Sequence, residues 1–158
     1  MDLTPGKEGG TWLGLSKRAA GKLGVLLNLN VADGEDSAAK AGRGFLVPNF
    51  INSEHESSMY LQSVVKEVNT YNPFNLLLYE RDIGEDVWRT TLFDSLNCRI
   101  DKPDDEFVSI SNHVYDVPYP KTVTGQSIFK SIVSEYNKVH LKSDLLDKLF
   151  ELAKYDAK

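Results

Sequence analysis

Phe74-Asn-Leu-Leu-Leu-Tyr79 and Val87-Trp-Arg-Thr-Thr-Leu-Phe93 are the two stretches that decide the predicted fold. Each has the length of a strand and is rich in aliphatic, aromatic and β-branched residues. The residues between them, 81–86, are mostly polar and predict a turn. The two stretches therefore predict an antiparallel pair of strands.

Further strands are predicted on both sides of this pair. Residues 11–15 and 22–28 are apolar segments separated by a turn-like stretch at 17–21, which predicts a hairpin. The polar, acidic residues 30–42 predict a loop. A short strand is predicted at 107–111, after an acidic loop at 101–106.

Four helices are predicted, and apolar residues that recur with a period of 3.6 mark the later ones more clearly than the first. The first covers 44–51, with Pro48 near its first turn. The second covers 58–68, and Ser53-Glu-His-Glu56 has the form of a capping box, although Ser57 is an equally good cap. The last two cover 126–139 and 144–153, with Thr124 and Ser143 as predicted N-caps.

The order of strands, helices, strands and helices predicts an α+β fold in a single domain over residues 1–158. Composition agrees with a globular protein, because hydrophobic residues make up 41% and charged residues 26%. The predicted strands offer little surface to cover the apolar stripes of the helices. We therefore expect this domain to be incomplete at both ends.

Charge and composition exclude several functional classes. The chain has 158 residues, a net charge of -5 and a pI of about 5.2, so we expect no binding to nucleic acid. Its apolar runs fall far short of the ~20 residues that a transmembrane helix needs. The single cysteine, Cys98, excludes an intrachain disulfide and a cysteine-based zinc site. A reducing compartment, and hence a cytoplasmic location, is the expectation.

Three asparagines lie at the ends of predicted strands. Asn28 ends one strand, Asn75 begins another, and Asn112 follows the predicted strand at 107–111. Amide groups at strand ends can donate to a developing oxyanion, which makes these residues candidates for a site. The alternative is that they serve in turns, where asparagine is also common.

Two other residues are weaker candidates. Arg43, between Gly42 and Gly44, precedes a predicted helix and could help bind an anion, or it could belong to a tight loop. His113 has no neighbouring residues with the spacing of a metal site. The residues themselves predict no metal and no cofactor.

Four segments occur in a characteristic order: Gly6-Lys-Glu-Gly-Gly-Thr-Trp-Leu-Gly-Leu15, Gly42-Arg-Gly-Phe-Leu-Val47, Tyr71-Asn-Pro-Phe-Asn-Leu-Leu77 and Ser109-Ile-Ser-Asn112. Together they resemble the transport and Golgi organization protein 2 family, also called the NRDE family. The resemblance extends from Gly6 to Phe129. It implies an αββα sandwich similar to that of N-terminal nucleophile hydrolases, of which this chain would hold a part.

The resemblance also implies roles for two of the asparagines. Asn28 matches a family position that, by analogy with the hydrolases, would help form an oxyanion hole. Asn112 matches a second asparagine that faces the site. The cysteine nucleophile would lie upstream, so we expect a protein that is not catalytic. The alternative is an N-terminal nucleophile amidohydrolase whose catalytic cysteine lies upstream of this chain.

The biological role that the resemblance implies is Golgi organization and protein secretion, with haem or lipid handling as a further expectation. Haem is the only cofactor implied, with His113 as a conceivable ligand. Partners would be proteins of the secretory pathway. The expected location is the cytoplasm, with association to the Golgi or to mitochondria.

Overall fold

A computed structural model describes residues 8–16, 21–29, 40–82 and 84–155. The chain divides into two compact units, Met1–Asp104 and Asp105–Lys158. The predicted loop at 30–42 and the predicted turn at 17–21 lie largely outside the described residues. The single domain over residues 1–158, incomplete at both ends, stays a prediction.

The first unit contains a five-stranded antiparallel sheet whose strands lie side by side in chain order. Two helices, α1 (Leu46–Asn52) and α2 (Ser57–Lys66), lie between the second and third strands in the chain. The predicted α+β fold is confirmed, while the αββα sandwich stays a prediction. The strands are β1 (Leu13–Ser16), β2 (Lys22–Asn28), β3 (Phe74–Asp82), β4 (Val87–Asp94) and β5 (Arg99–Asp101).

The fifth strand is not where the sequence pattern placed it. Residues 107–111 form no strand, and β5 covers Arg99–Asp101 instead. A tight turn after Asp94 returns the chain directly onto β4, with Cys98 in the left-handed region at φ 50°. Three residues carry no readable alternation of polar and apolar side chains, so the sequence pattern did not reveal this strand.

One face of the sheet packs against α1 and α2 and forms the core. Leu26, Leu76 and Leu78 occupy alternating positions on β2 and β3, so their side chains point to this one face. Gly14 lets α1 approach β1 closely, since a Cβ there would lie only 2.9 Å from two side chains of α1. The core also includes the fully buried residues Phe50, Leu61, Phe74 and Phe93.

The start of α2 is capped by a residue of the sheet. The predicted capping box is wrong, because α2 begins at Ser57 and its N-cap is Glu56, so neither Ser53 nor Ser57 is the N-cap. Instead, the carboxylate of Glu80 on β3 accepts hydrogen bonds from the backbone N–H of Ser57 at 2.9 Å and from its hydroxyl at 2.7 Å. A negative charge at a helix N-terminus satisfies a free N–H and complements the helix dipole.

Lys22, the first residue of β2, is almost fully buried, with 8% of its surface exposed. Its Nζ donates to the Ser53 carbonyl at 3.0 Å, to the Ser53 hydroxyl at 3.3 Å and to the His55 carbonyl at 2.5 Å. It also lies 4.6 Å from the centre of the Phe50 ring. Lys22 therefore ties the start of β2 to the segment that joins α1 and α2.

The opposite face of the sheet carries a row of leucines whose exposure changes from strand to strand. Leu13 and Leu15 on β1 are 64% and 63% exposed, whereas Leu77 on β3 and Leu92 on β4 are 4% and 0% exposed. The strand register places Leu13, Leu77 and Leu92 in one row across this face. The apolar row is thus covered at β3 and β4 and open at β1.

The second unit contains two helices, α3 (Pro120–Tyr136) and α4 (Lys142–Ala153), which pack against each other. The predicted N-caps Thr124 and Ser143 are wrong, because both helices begin earlier, after Tyr119 and Leu141. For α3 the reason is Pro120, whose fixed φ suits the first helical position. Neither helix contains a fully buried residue.

Candidate functional site

Asn28 lies at the end of β2, opposite Phe74 at the start of β3. Facing residues in an antiparallel pair point to the same side, so Asn28 points to the face covered by the helices. Its amide oxygen Oδ1 is buried. The next residue, Leu29, donates its N–H to the carbonyl of Pro73 at 3.1 Å, which closes this end of the β2–β3 pair.

Arg43 is anchored at the same end of the sheet. Its Nη1 donates to the Pro73 carbonyl at 2.9 Å, so Arg43 and the Leu29 N–H share one acceptor. The segment around Arg43 is held on both sides: Ala41 donates its N–H to Thr70, and Gly44 accepts from the N–H of Thr11, each at 2.8 Å. The guanidinium is therefore positioned by backbone contacts beside the end of β2.

Asn75 lies at this end too, but on the other face. It is opposite Leu27 and Asp94 in the register, and its side chain is fully buried. Alternation along β3 directs Phe74 to the helix-covered face and Asn75 away from it. The structure thus brings Asn28, Arg43 and Asn75 to one end of the sheet and places Asn75 on the face opposite Asn28.

Asp94 is a buried polar residue that the sequence pattern did not single out. Its Oδ1 accepts hydrogen bonds from the backbone N–H groups of Leu96 and Asn97, at 2.9 Å and 3.2 Å, and its Oδ2 accepts from the Asn97 amide at 2.7 Å. These bonds hold the turn between β4 and β5. An aspartate that ends a strand before a polar turn is the sequence signal that could have revealed it.

Asn112 and His113 belong to the second unit, Asp105–Lys158. Asn112 is exposed and lies in a bend, so the expectation that it follows a strand is wrong. The ring of His113 packs against Tyr119, with ring centres 4.7 Å apart, and its Nδ1 is buried. The ammonium of Lys121 lies 5.5 Å from the Tyr119 ring.

The surroundings of His113 do not match what haem requires. Haem needs an axial ligand that faces an apolar slot. The His113 ring instead packs against Tyr119, and the Lys121 ammonium lies 5.5 Å from the centre of that tyrosine ring, so this side of the imidazole is not an open apolar slot. These residues do not fit a haem site.

Cys98 and the histidine of the first unit lie at opposite ends of the sheet. Cys98 is exposed in the turn after β4, whereas the His55 carbonyl contacts Lys22 at the start of β2. The full length of β2 separates these ends, which is roughly 20 Å at ~3.4 Å per residue. Within the described residues, no group of three or more His, Cys, Asp or Glu could hold a metal ion.

Two tyrosines of the first unit, Tyr60 and Tyr79, have raised pKa values. Burial raises the pKa of Tyr60, whose hydroxyl donates to the Leu46 carbonyl at 2.6 Å. Burial also raises the pKa of Tyr79 on β3. Both hydroxyls therefore stay protonated at neutral pH, so neither is suited to act as a general base.

Among the described residues, no helix is both long and apolar enough to cross a membrane.

Comparison with known proteins places the chain in a family. The family model described as "Transport and Golgi organisation 2" matches residues 1–158. The "Transport and Golgi organization 2 homolog" of Mus musculus is 32% identical over 159 residues, covering 94% of this chain and 54% of the mouse protein. The "Transport and Golgi organization protein 2" of Drosophila melanogaster is 29% identical over 149 residues, covering 90% of this chain and 52% of the fly protein.

The human "Transport and Golgi organization protein 2 homolog" is 46% identical over 77 residues, or 49% of this chain and 26% of the human protein. The chain spans about half the length of the mouse and fly relatives that it matches. The family recognised from the sequence segments is confirmed. This chain belongs to the transport and Golgi organisation 2 family.

Proposed function

We propose that this chain forms a ligand-contacting, non-catalytic part of a protein that acts in Golgi organization and protein secretion. The names of the mouse and fly relatives support the cellular role. The observation that carries the non-catalytic part is the composition of the Asn28 end of the sheet. Asn28 and Arg43 supply amide and guanidinium groups there, and these groups bind or orient a ligand but do not attack one.

Hydrolysis of an amide bond requires a nucleophile with a base in hydrogen-bonding reach, at about 2.6–3.2 Å. Cys98 is the one cysteine of the chain. The first unit has one histidine, His55, and it lies roughly 20 Å from Cys98, at the opposite end of the sheet. A developing oxyanion at Asn28 would also lie at least two strand spacings from Cys98, or about 10 Å.

The second candidate is an amidohydrolase whose cysteine lies upstream of this chain. The position of Asn28 at a strand end, beside an anchored arginine, supports this alternative, because oxyanion donors work best when they are fixed. In that case the present residues would supply the oxyanion hole, and another part of the protein would supply the nucleophile.

Complementation of secretion distinguishes the two. Cells that lack their own family member would receive a full-length relative bearing either the Asn28→Ala change or a change of the cysteine nearest its N-terminus. Secretion of a reporter protein is then measured. We expect the cysteine variant to restore secretion as well as the wild type does, and the Asn28→Ala variant to restore it poorly. Loss of secretion in the cysteine variant, with normal protein levels, would favour the amidohydrolase.

Binding tests address the finer parts of the proposal. Because the residues around His113 do not fit haem, haem titration of the purified chain should give no shift of the Soret band. Lipid handling is tested by co-flotation with vesicles of phosphatidylcholine and anionic lipid. The net charge of -5 predicts that anionic lipid does not increase flotation.

A further inference from the structure

The outer edge of β1 is an edge of the described sheet, because β1 pairs with β2 and lies first in the strand order. An edge strand presents backbone N–H and C=O groups with which another chain can pair. The side chains of Leu13 and Leu15 on this strand are largely exposed. Such an edge would be prone to self-association unless something blocked it.

The hydrogen bonds of the β1–β2 pair identify which groups point outward. Leu26 donates its N–H to the Trp12 carbonyl at 2.8 Å, so the backbone groups of Trp12 face β2. Inward and outward directions alternate along a strand. The N–H and C=O of Leu13 therefore point away from β2, toward any strand that would add to this edge.

The hydroxyl of Thr11 already engages both of these outward groups. Its Oγ1 donates to the Leu13 carbonyl at 2.8 Å and accepts from the Leu13 N–H at 3.3 Å. We propose that the Thr11 hydroxyl is an edge cap that prevents β1 from pairing with β1 of a second copy of this chain. The cap works because a strand that approached Leu13 would first have to break two local hydrogen bonds.

A second copy is the occupant that this edge fits best. Antiparallel pairing of two β1 strands about a twofold axis would give each Leu13 both of its hydrogen bonds from the equivalent residue. It would also bring the exposed Leu13 and Leu15 side chains of the two copies together on one face. Leu13 of each copy would thus supply both the backbone bonds and an apolar contact, and Leu15 would add a further apolar contact.

Thr11→Val tests the cap directly. Valine keeps the shape of threonine, including the methyl group that lies 3.8 Å from the position of a Cβ on Gly14. Thr11→Ser is the matched control, because it keeps the hydroxyl and removes that methyl. Sedimentation equilibrium should show that the Val variant self-associates roughly tenfold more tightly than the wild type, because the N–H and C=O of Leu13 become available for pairing.

Thr11→Ser should associate as the wild type does. A second change, Leu13→Lys, separates edge pairing from aggregation of unfolded chains, because a lysine on an edge strand blocks pairing. Adding Leu13→Lys to Thr11→Val should return association to the wild-type level. Equal association of the wild type and Thr11→Val would overturn the proposal, as would association of the Val variant that Leu13→Lys does not reverse.

Discussion

Replacing Lys22 with methionine removes a buried charge while keeping an unbranched side chain of similar length. The ammonium is the donor for the carbonyls of Ser53 and His55 and for the Ser53 hydroxyl, and it contacts the Phe50 ring. Without it, two backbone carbonyls between α1 and α2 lose a charged donor. Each such loss costs about 1–3 kcal/mol when the group stays buried.

Two effects reduce this cost. His55 is exposed, so water can reach part of the connection between the helices. Methionine also avoids the desolvation penalty of a buried ammonium. The loss of the contact with Phe50 increases the cost by about 0.5–2 kcal/mol. We therefore expect Lys22→Met to lower the free energy of unfolding by about 2–4 kcal/mol.

Urea unfolding followed by tryptophan fluorescence reports on the structural unit that contains Lys22, because Trp12 and Trp88 both lie in this first unit. With a slope of ~2 kcal/mol/M, the midpoint should fall by roughly 1–2 M. Lys102→Met, at an exposed position, is the control and should leave the midpoint unchanged. A midpoint for Lys22→Met within experimental error of the wild type would refute the reasoning. It would show that the desolvation of the ammonium cancels its hydrogen bonds.

Other substitutions test separate features of the first unit. Gly14→Ala would place a Cβ 2.9 Å from two side chains of α1, so the free energy of unfolding should fall by about 1–3 kcal/mol. Gly42→Ala is the control, because a Cβ there would have nothing within 4 Å, and it should change little in the same urea assay. Cys98→Gly should raise the thermal midpoint and stabilise by about 1 kcal/mol, because φ 50° suits glycine, and Cys98→Ala should give no gain. Hydrogen bonds from the Glu85 N–H and from Arg89 lower the pKa of Asp82. The stabilising effect of this carboxylate is therefore present at neutral pH and is lost as the pH falls below about 4. Between neutral and acidic urea titrations, Asp82→Asn should therefore lose less stability than the wild type.

The strands that the sequence predicted well are those with a continuous apolar pattern. β2 was predicted with its observed bounds, and β4 was predicted except for its last residue, Asp94. β3 was predicted from its first residue to Tyr79 but continues to Asp82, because its last three residues are charged and carry no apolar pattern. β5 was missed because it depends on the turn held by Asp94, and a turn of this kind is set by side-chain hydrogen bonds that leave little trace in hydropathy. Pairing with β4, and not the local sequence, makes Arg99–Asp101 a strand.

The helix caps show a second limit. Capping residues were sought next to each helix in the sequence, where Ser53, Thr124 and Ser143 were suitable. The residue that satisfies the start of α2 is Glu80, which lies on β3, more than twenty positions downstream. A contact across such a separation follows from the strand register and cannot be read from spacing.

The candidate site was predictable in its residue types and only partly in its geometry. Asn28, Arg43 and Asn75 were each singled out, and they do lie at one end of the sheet. Their division between two faces depends on the register that pairs Asn28 with Phe74. A shift of the register by one residue would exchange the two faces, so the sequence alone could not assign them.

The strand order also bears on how the protein folds during synthesis. Each strand pairs with the strand made just before it, so most sheet contacts close short stretches of chain, which favours rapid folding. The pairing of β2 with β3 is the exception, because α1 and α2 are made between them. α1 can pack against β1 and β2 as soon as it is made, but the apolar side chains of α2 stay uncovered until Leu76 and Leu78 of β3 leave the ribosome. We expect the nascent chain to need a chaperone during that interval more than at any later stage.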